Sequence, residues 1–543
     1  MMRRKHLFLL YVVLLVLCTA AQAQKLRKDD PIWEDNDRQP IPQPAEVDDL
    51  SQLADFLENT FSHKPDNPIP RAENVNSLGE VPDSSWFTNR MSRRVLTIEE
   101  LVKGPNRRKG PDTSQPWVIK GGKTQGITPG FRAHDSKGDL YFIKFDPIGY
   151  PQLATSTEVI CTKFFHAFGY NVPENYIARI RREDVRIDPD AKITDENGVE
   201  RKWTEDDVER IFEKVPVADD GTVQVVASFR LEGEIVGPFR YYGTRSDDPN
   251  DIFLHENRRE LRGLRLLAAW LNHDDSRSVN TKDTFIKQGE LGYVRHHLFD
   301  FGSCLGSGSV RIQGRRAGNE YMLEWGPILK AALTFGIWDR SWRYIDYPKH
   351  PSIGRFEADY FKPELWRPEY PNPAFERMQN EDAFWACRII ARFTDEMVRA
   401  LVRTGELKDP AAEEYLVQSL IKRRDKIVRH YLAQMSPLDD FEITSQEGRA
   451  AVRFSNLGET CGLGKADSYE YQWATFDNQT GSLKPLGPVE VVAAPEIALP
   501  RAGGTGYLAV VIHTLAQSQK GWAKPVTVYL AQSPLRVVGV ERE

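Results

Sequence analysis

Three side chains in the middle of the chain have the types and the spacing that phosphoryl transfer uses. Asp275 stands five residues before Asn280, and Asp300 opens an Asp-Phe-Gly triplet after a short predicted strand. A carboxylate such as Asp275 can orient a nucleophilic hydroxyl, while an Asn and a second Asp can hold the magnesium ion that bridges the phosphates of ATP. We expect Asn280 and Asp300 to converge on one cleft as metal ligands, with the Asp275 carboxylate facing open solvent beside them. Asp274 is a second candidate for the carboxylate that orients the hydroxyl, but only Asp275 stands five residues before Asn280.

A lysine and a glutamate upstream complete the pattern. Lys144 lies between apolar residues near the end of the predicted strand 141–145, where a lysine can neutralise nucleotide phosphates. Glu158 lies in the second turn of a helix predicted over 154–168, which Gly169 ends. If Glu158 holds Lys144 in place, the two groups must lie within about 4 Å of each other. The alternative is that Lys144 reaches solvent and Glu158 is an exposed helical carboxylate.

A glycine-rich segment, residues 121–130, lies between two predicted strands and is a candidate for the loop that covers the nucleotide. Glycines let backbone amides approach phosphates closely. The cofactor-binding candidates are Gly122, Lys123, Thr124 and Gly126, together with Lys144. A Walker A loop is excluded because it requires glycine where this chain has Trp117, and there is no GxGxxG. A hairpin that binds no ligand remains the alternative.

Two segments resemble parts of the HipA-like atypical kinases, a group related to phosphatidylinositol-kinase-like and CotH-like proteins. They are 156–173, which contains Glu158, and 266–280, which ends at Asn280. The resemblance covers roughly residues 117–305 and extends over the helices that follow, to about Leu432. It implies a two-lobed kinase-like fold, with a β-rich N-lobe, a helical C-lobe, and ATP and magnesium between them. By matching position it also implies that Lys144 and Glu158 form the phosphate-lysine pair, that Asp275 is the catalytic base, and that Asn280 and Asp300 bind the metal. The chain lacks the His or Lys expected between Asp275 and Asn280, which keeps an inactive pseudokinase open as an alternative.

The first residues predict export. A basic stretch ending at Lys5 precedes an unbroken apolar run over 7–17, and the Ala-Gln-Ala of 21–23 supplies a signal-peptidase site. The run is too short for a permanent membrane span, and we expect a mature chain that begins at Gln24, has no transmembrane segment and is periplasmic or secreted. Losing three basic residues would lower the formal charge from -6 to about -9. Acidic residues (78) outnumber Lys and Arg (72), so nucleic acid is not an expected partner.

The pattern of apolar and polar residues along the chain predicts an α+β fold, with a separate β domain at the C-terminal end. A polar, Pro-rich tether is expected first, with one short helix that carries Leu50, Leu53, Phe56 and Leu57 at helical spacing. After Ser436 the pattern alternates, as in the strands of a β-sandwich, a module that by fold analogy binds partners or glycans. The predicted organisation is a signal peptide (1–23), the tether (24–95), an N-lobe (96–230), a helical C-lobe (231–435) and a β-sandwich (436–543).

Three functions therefore remain open. The first is an exported phosphotransferase or nucleotidyl transferase that uses ATP and magnesium on a protein or envelope substrate. The second is a pseudokinase whose lobes and β-sandwich form a binding scaffold. The third is a metal-dependent hydrolase that uses the carboxylates of Asp274, Asp275 and Asp300.

Overall fold

The structure is a computed structural model of the 543-residue chain. It describes residues 24–48, 51–122, 129–194, 199–446, 449–500, 505–517 and 519–543, so the predicted signal peptide lies outside the described residues. The chain is α+β and divides into two compact units. Trp33–Asn74 and Val81–Tyr431 form the larger unit, and the smaller unit contains the described residues 24–32 with Val75–Glu80 and Leu432–Glu543. Among the described residues, no helix is both long and apolar enough to span a membrane.

The larger unit opens with a seven-stranded sheet. Its strands, in chain order, are β1 (Trp117–Gly122), β2 (Gly130–His134), β3 (Leu140–Phe145), β4 (Asn175–Ile180), β5 (Val185–Thr194), β6 (Glu200–Lys202) and β7 (Val223–Phe229). The order across the sheet is β4-β7-β3-β2-β1-β5-β6, which places β3 near the centre. Alternating apolar residues such as Ile119, Phe131 and Ile143 form a buried core on one face.

The chain then leaves this sheet for a smaller one. After β7 it enters β8 (Glu234–Gly237), which pairs with the hairpin of β9 (Thr281–Gln288) and β10 (Leu291–Leu298). The change of sheet therefore falls between 229 and 234, where the sequence predicts the end of the N-lobe.

The larger unit also contains helices. They are α1 (Gln52–Phe61), α2 (Ile98–Lys103), α3 (Leu153–Phe168), α4 (Glu205–Phe212), α5 (Arg259–Leu271), α6 (Trp325–Leu333), α7 (Pro373–Glu376), α8 (Asn380–Ala391), α9 (Asp395–Arg403) and α10 (Pro410–Leu432). Helix α5 leads directly into the predicted catalytic loop. The Trp270 indole near its end donates a 2.8 Å hydrogen bond to the Leu420 carbonyl of α10, which fixes that end in the helical core.

Helix α1 forms in the segment predicted as a tether, and its buried face is polar. Leu53 and Leu57 are exposed, whereas Asp55 and Asn59 are buried. The Tyr370 hydroxyl donates a 2.6 Å hydrogen bond to Asp55, so a polar contact holds the helix against the unit. A buried carboxylate that has a hydrogen-bond partner avoids the cost of an unpaired buried charge, so the acidic face of the helix can be the buried one. Leu50 lies outside the described residues.

The smaller unit is built almost wholly from strands. They are β11 (Leu438–Gln446), β12 (Arg449–Asn456), β13 (Ser468–Asp477), β14 (Ser482–Pro485), β15 (Glu490–Val492), β16 (Glu496–Ala498), β17 (Tyr507–Leu515), β18 (Val526–Gln532) and β19 (Leu535–Arg542), with one helical turn, α11 (Leu457–Thr460). They form a sheet of β11, β12 and β16 and a six-stranded sheet of the others. Val452 of the first sheet and Val510 of the second belong to one buried core, so the two sheets bury their apolar faces together.

Candidate functional site

Lys144 lies at the centre of the candidate site. It is the fifth residue of β3, with Gly130 of β2 and Val226 of β7 as its register partners. Its ammonium nitrogen lies 3.2 Å from Glu158 Oε2 and 3.1 Å from Asp300 Oδ1. Lys144 is 7 % exposed and Glu158 is 2 % exposed. The predicted ion pair is therefore formed and buried, and the alternative of two solvent-exposed groups does not hold.

Helix α3 carries Glu158 and is fixed at its N-terminus by Asp146. This buried carboxylate follows β3 and accepts hydrogen bonds from the backbone amides of Gln152, Ala154 and Thr155 at 2.8 to 2.9 Å. A carboxylate at a helix N-terminus satisfies amides that have no partner within the helix. The same residue thus links the end of the lysine strand to the start of the glutamate helix.

The β9–β10 hairpin brings Asn280 to Asp300. Thr281, the first residue of β9, pairs with Leu298, the last residue of β10. One residue beyond this pair, the Phe299 amide donates a 2.9 Å hydrogen bond to the Asn280 carbonyl. Asn280 therefore lies beside the backbone that enters the Asp-Phe-Gly triplet. The hairpin converts a separation of twenty residues in sequence into a short distance in space.

The Asp-Phe-Gly triplet is anchored through all three of its residues. Asp300 adopts φ 60°, in the left-handed region, and contacts Lys144. Phe301 is fully buried with its ring 4.6 Å from that of Phe165 in α3, and its amide donates a 3.1 Å hydrogen bond to Glu158 Oε1. A Cβ on Gly302 would lie 3.2 Å from Glu158 Oε2, so a side chain there would crowd the carboxylate. Glu158 thus binds both the lysine and the backbone of the triplet.

Asp275 lies in a compact loop and is not directed into open solvent. The side-chain nitrogen of Asn280 (Nδ2) donates a 2.9 Å hydrogen bond to the Asp275 backbone carbonyl. The Asp275 carboxylate forms a close ion pair with Arg277, whose guanidinium also donates a 2.7 Å hydrogen bond to Glu369. The expectation of an open carboxylate differs from the structure because an arginine two residues away can fold back onto the loop.

Asp274 has a different set of contacts. Its Oδ1 accepts a 2.5 Å hydrogen bond from Gln313 Nε2, and its carbonyl accepts a 2.8 Å hydrogen bond from the Glu369 amide. Gln313 Oε1 in turn accepts a 2.9 Å hydrogen bond from Asn272, which follows α5. Asp274 therefore connects the loop to the segment after the triplet, a positioning contact rather than an approach to the Lys144 cleft.

Burial and neighbouring charges perturb the acids and bases of the site. Burial raises the pKa of Asp275 to about 6, although Arg277 acts in the opposite direction. Burial also raises the pKa of Glu158, against the effect of Lys144. Burial alone would lower the pKa of Lys144, but the charges of Asp300 and Glu158 outweigh it and raise that pKa. Such shifts are typical of functional clefts, and structural ion pairs also produce them.

The cleft beside Lys144 is nearly closed. The cavity, which Lys144, Glu158, Asp300, Gly302 and Ser309 line with neighbours from α3 and β7, holds about 10 Å³, room for about one water molecule. Of the loop candidates, Gly122 ends β1, whereas Lys123, Thr124 and Gly126 lie outside the described residues. A nucleotide would need the cleft to open.

The donor set at the cleft was compared with what a magnesium ion requires. In the described ranges, no three or more His, Cys, Asp or Glu side chains are grouped so that they could hold a metal ion. Asp300 lines the cleft, whereas Asn280 lies beside the backbone that enters the triplet and is not among the lining residues. A carboxylate and an amide oxygen would suit magnesium, which binds few protein ligands and completes its shell with waters and phosphates. The residues fit a metal that arrives with a nucleotide better than a resident one.

Four residues of the site were missed by the sequence analysis: Asp146, Arg277, Ser309 and Gln313. Asp146 stands seven residues before Leu153, the first residue of α3, so no cap pattern in the sequence identifies its contact with the helix amides. Ser309 belongs to a Gly-Ser segment with no pattern that assigns it to the cleft, and Gln313 has no local pattern that identifies its partner 39 residues away.

Comparisons with known proteins add little. No protein-family model matches the chain, and no curated protein matches it. Among solved structures it is similar to the crystal structure of the Helicobacter pylori proinflammatory kinase CtkA, with 14% sequence identity and a TM-score of 0.32. The alignment covers 58% of this chain and 95% of that one. At this TM-score the similarity supports no conclusion about fold or function.

Proposed function

We propose that this chain is an exported, two-lobed kinase-like protein that binds a nucleotide with magnesium and transfers a phosphoryl group to a protein or envelope substrate. The observation that carries the proposal is the position of Lys144, whose ammonium group lies between Glu158 of α3 and Asp300 of the Asp-Phe-Gly triplet. Protein kinases use a lysine of the third strand, a glutamate of the following helix and this aspartate in the same relationship.

In this proposal each residue has a distinct role. Lys144, fixed by Glu158, neutralises the nucleotide phosphates once the cleft opens. Asn280 and Asp300 hold the magnesium ion, which supplies charge neutralisation to the phosphates when bound. Asp275, with a pKa of about 6, accepts the proton of the attacking hydroxyl. The glycine-rich segment that ends β1 covers the phosphates.

The HipA-like resemblance is compatible with this assignment and is part of the proposal. The seven-stranded sheet with α3 serves as the N-lobe, and the helices from α5 onward serve as the C-lobe. The two sheets of the smaller unit form a β-sandwich that binds a partner or glycan.

A pseudokinase scaffold is the second candidate, and two observations favour it. The Arg277 guanidinium is paired with the Asp275 carboxylate, so the proposed base has a competing partner. The cleft also has room for about one water molecule. The hydrolase alternative has less support, because Asp274 is bonded to Gln313 and Asp300 to Lys144.

Transfer from ATP labelled at the γ-phosphate separates these candidates. The acceptors are the chain itself and casein, with magnesium present. We expect transfer by the native chain, loss of at least a hundredfold in Asp275→Asn, and near-native transfer in Asp274→Asn. Labelled transfer absent from the native chain, with nucleotide binding intact, would favour the pseudokinase. Phosphoester hydrolysis without nucleotide that depends on all three carboxylates would favour the hydrolase.

A further inference from the structure

Residues 321–344 form an excursion from the larger unit, here called the apolar excursion. All of them are described, and none is buried, although the excursion contains α6 and many large apolar side chains. Glu320, at its start, is buried and accepts hydrogen bonds from Arg340 Nε at 2.8 Å and from Trp342 Nε1 at 3.1 Å. Buried Ile345 follows its last residue. The base of the excursion is therefore tied, while no side chain of residues 321–344 is buried.

The exposure of its apolar residues is extreme. Phe335 is 95%, Ile337 90% and Leu333 80% exposed, and the Trp325 and Leu329 side chains of α6 are also exposed. Single exposed apolar residues are ordinary, but a contiguous group of them marks an interaction surface. These side chains are presented on a projection rather than in a groove.

Phe335 also occupies an unfavourable backbone conformation. It has φ 50°, in the left-handed region just after α6, where glycine or asparagine is usual. The Gly336 amide donates a 2.9 Å hydrogen bond to the Ala331 carbonyl, which closes the helix end around it. A bulky residue that is both strained and solvent-exposed is not explained by the stability of the fold. Such outliers are found at functional positions.

The charge around the excursion is opposite to that of the chain. Residues 311–349 contain seven Lys and Arg against four Asp and Glu, in a chain whose formal charge is -6. Lys330 lies 4.4 Å from the centre of the Trp338 ring, so a cation and an aromatic ring meet on the same surface. Aromatic rings beside Lys and Arg, around an apolar group, are typical of segments that lie in a membrane interface.

We propose that the apolar excursion anchors the protein to the surface of a bilayer that contains anionic lipid. Leu333, Phe335 and Ile337 insert among the acyl chains, while Lys330 and the half-exposed Arg343 face the headgroups. A deformable lipid surface suits a convex projection, whereas a protein partner would need a complementary groove. The proposal does not depend on phosphoryl transfer, and it requires no membrane-spanning helix.

Vesicle sedimentation tests whether the apolar excursion binds a bilayer that contains anionic lipid. The protein is the chain from Gln24 onward, so that the apolar run near the N-terminus does not contribute. It contains all the described residues of both units. Vesicles of phosphatidylcholine alone are compared with an equal mixture of phosphatidylcholine and phosphatidylglycerol. We expect binding to the mixed vesicles and at least tenfold weaker binding by the double variant Phe335→Ser/Ile337→Ser. Ile252→Ser, at a residue 70% exposed elsewhere in the same unit, should bind like the native chain.

Several results would overturn the proposal. They are failure of the native chain to bind mixed vesicles, equal binding by the double variant, and equal loss of binding in Ile252→Ser. Thermal unfolding checks that the variants remain folded. If the double variant does not fold, Leu333→Ser replaces it in the vesicle experiment. If the native chain forms a dimer that the double variant abolishes, without vesicle binding, the excursion contacts a second copy and the lipid proposal fails.

Discussion

The ammonium nitrogen of Lys144 lies 3.2 Å from a carboxylate oxygen of Glu158, and both side chains are buried. One group comes from a central strand and the other from the helix that follows it. A buried ion pair contributes little net stability, because removing both charges from water costs about as much as their attraction returns. The pair is therefore better explained by a role in the cleft than by a role in stability.

The first prediction concerns what happens when only one member of this pair is removed. Lys144→Met leaves Glu158 buried without its main cation, which should lower the free energy of unfolding by about 3–5 kcal/mol at pH 7. The pKa of Glu158 should rise further, so the cost should shrink at pH 5, where the carboxyl takes up its proton. Urea unfolding at the two pH values measures this.

Two variants serve as controls for that experiment. Lys144→Met/Glu158→Gln removes both charges and should recover part of the lost stability. Lys163→Met removes a buried lysine of the same helix that is bonded to the Lys103 carbonyl, and its effect should not change between pH 5 and pH 7. If Lys144→Met behaves like Lys163→Met at both pH values, Lys144 and Glu158 are not coupled.

The second prediction concerns Gly302. A Cβ at this position would lie 2.9 Å from Ser309 Oγ and 3.2 Å from Glu158 Oε2, so Gly302→Ala should force the triplet away from Glu158. The expected cost is about 1–3 kcal/mol. Gly314→Ala is the matched control, since a Cβ added there would meet no atom of the described residues within 4 Å. Thermal unfolding compares the two, and equal midpoints would mean that the triplet is not packed as described.

The third prediction uses the raised pKa of Asp275. Because that pKa is about 6 in the folded chain, above the ordinary value of 3.8, the folded state binds the proton more tightly than the unfolded state. Stability contributed by the protonated group is therefore lost as the pH rises from about 4 to about 6. In Asp275→Asn this loss should disappear, a relative gain of up to about 3 kcal/mol above pH 6. A parallel pH dependence in both proteins would contradict the assignment.

The fourth prediction concerns α1. Asp55→Ala removes the buried acceptor of the Tyr370 hydroxyl and should cost about 1–3 kcal/mol. Leu53→Ser, on the exposed face of the same helix, should change stability by less than about 0.5 kcal/mol. Denaturant midpoints of the two variants give the comparison. The opposite order would mean that the leucine face, not the acidic face, contacts the unit.

Local patterns predicted the elements that carry the site, but not every contact within it. Lys144 and Glu158 were predictable because an alternating strand followed by a capped helix limits where their side chains meet. The orientation of α1 could not be predicted, because helical spacing cannot show that Asp55 has a partner 315 residues away. The closure of Arg277 onto Asp275 depends on loop geometry that spacing alone does not determine. The glycine-rich loop remains a prediction, since Lys123, Thr124 and Gly126 lie outside the described residues.

Nucleotide binding by the purified chain tests the central claim most directly. Isothermal titration with a non-hydrolysable ATP analogue is run with and without magnesium, on the native chain and on Lys144→Met, Asp300→Asn and Lys163→Met. We predict magnesium-dependent binding by the native chain and by Lys163→Met, and at least tenfold weaker binding by Lys144→Met and Asp300→Asn. No binding by the native chain, or equal binding by Lys144→Met, would contradict a nucleotide site at Lys144.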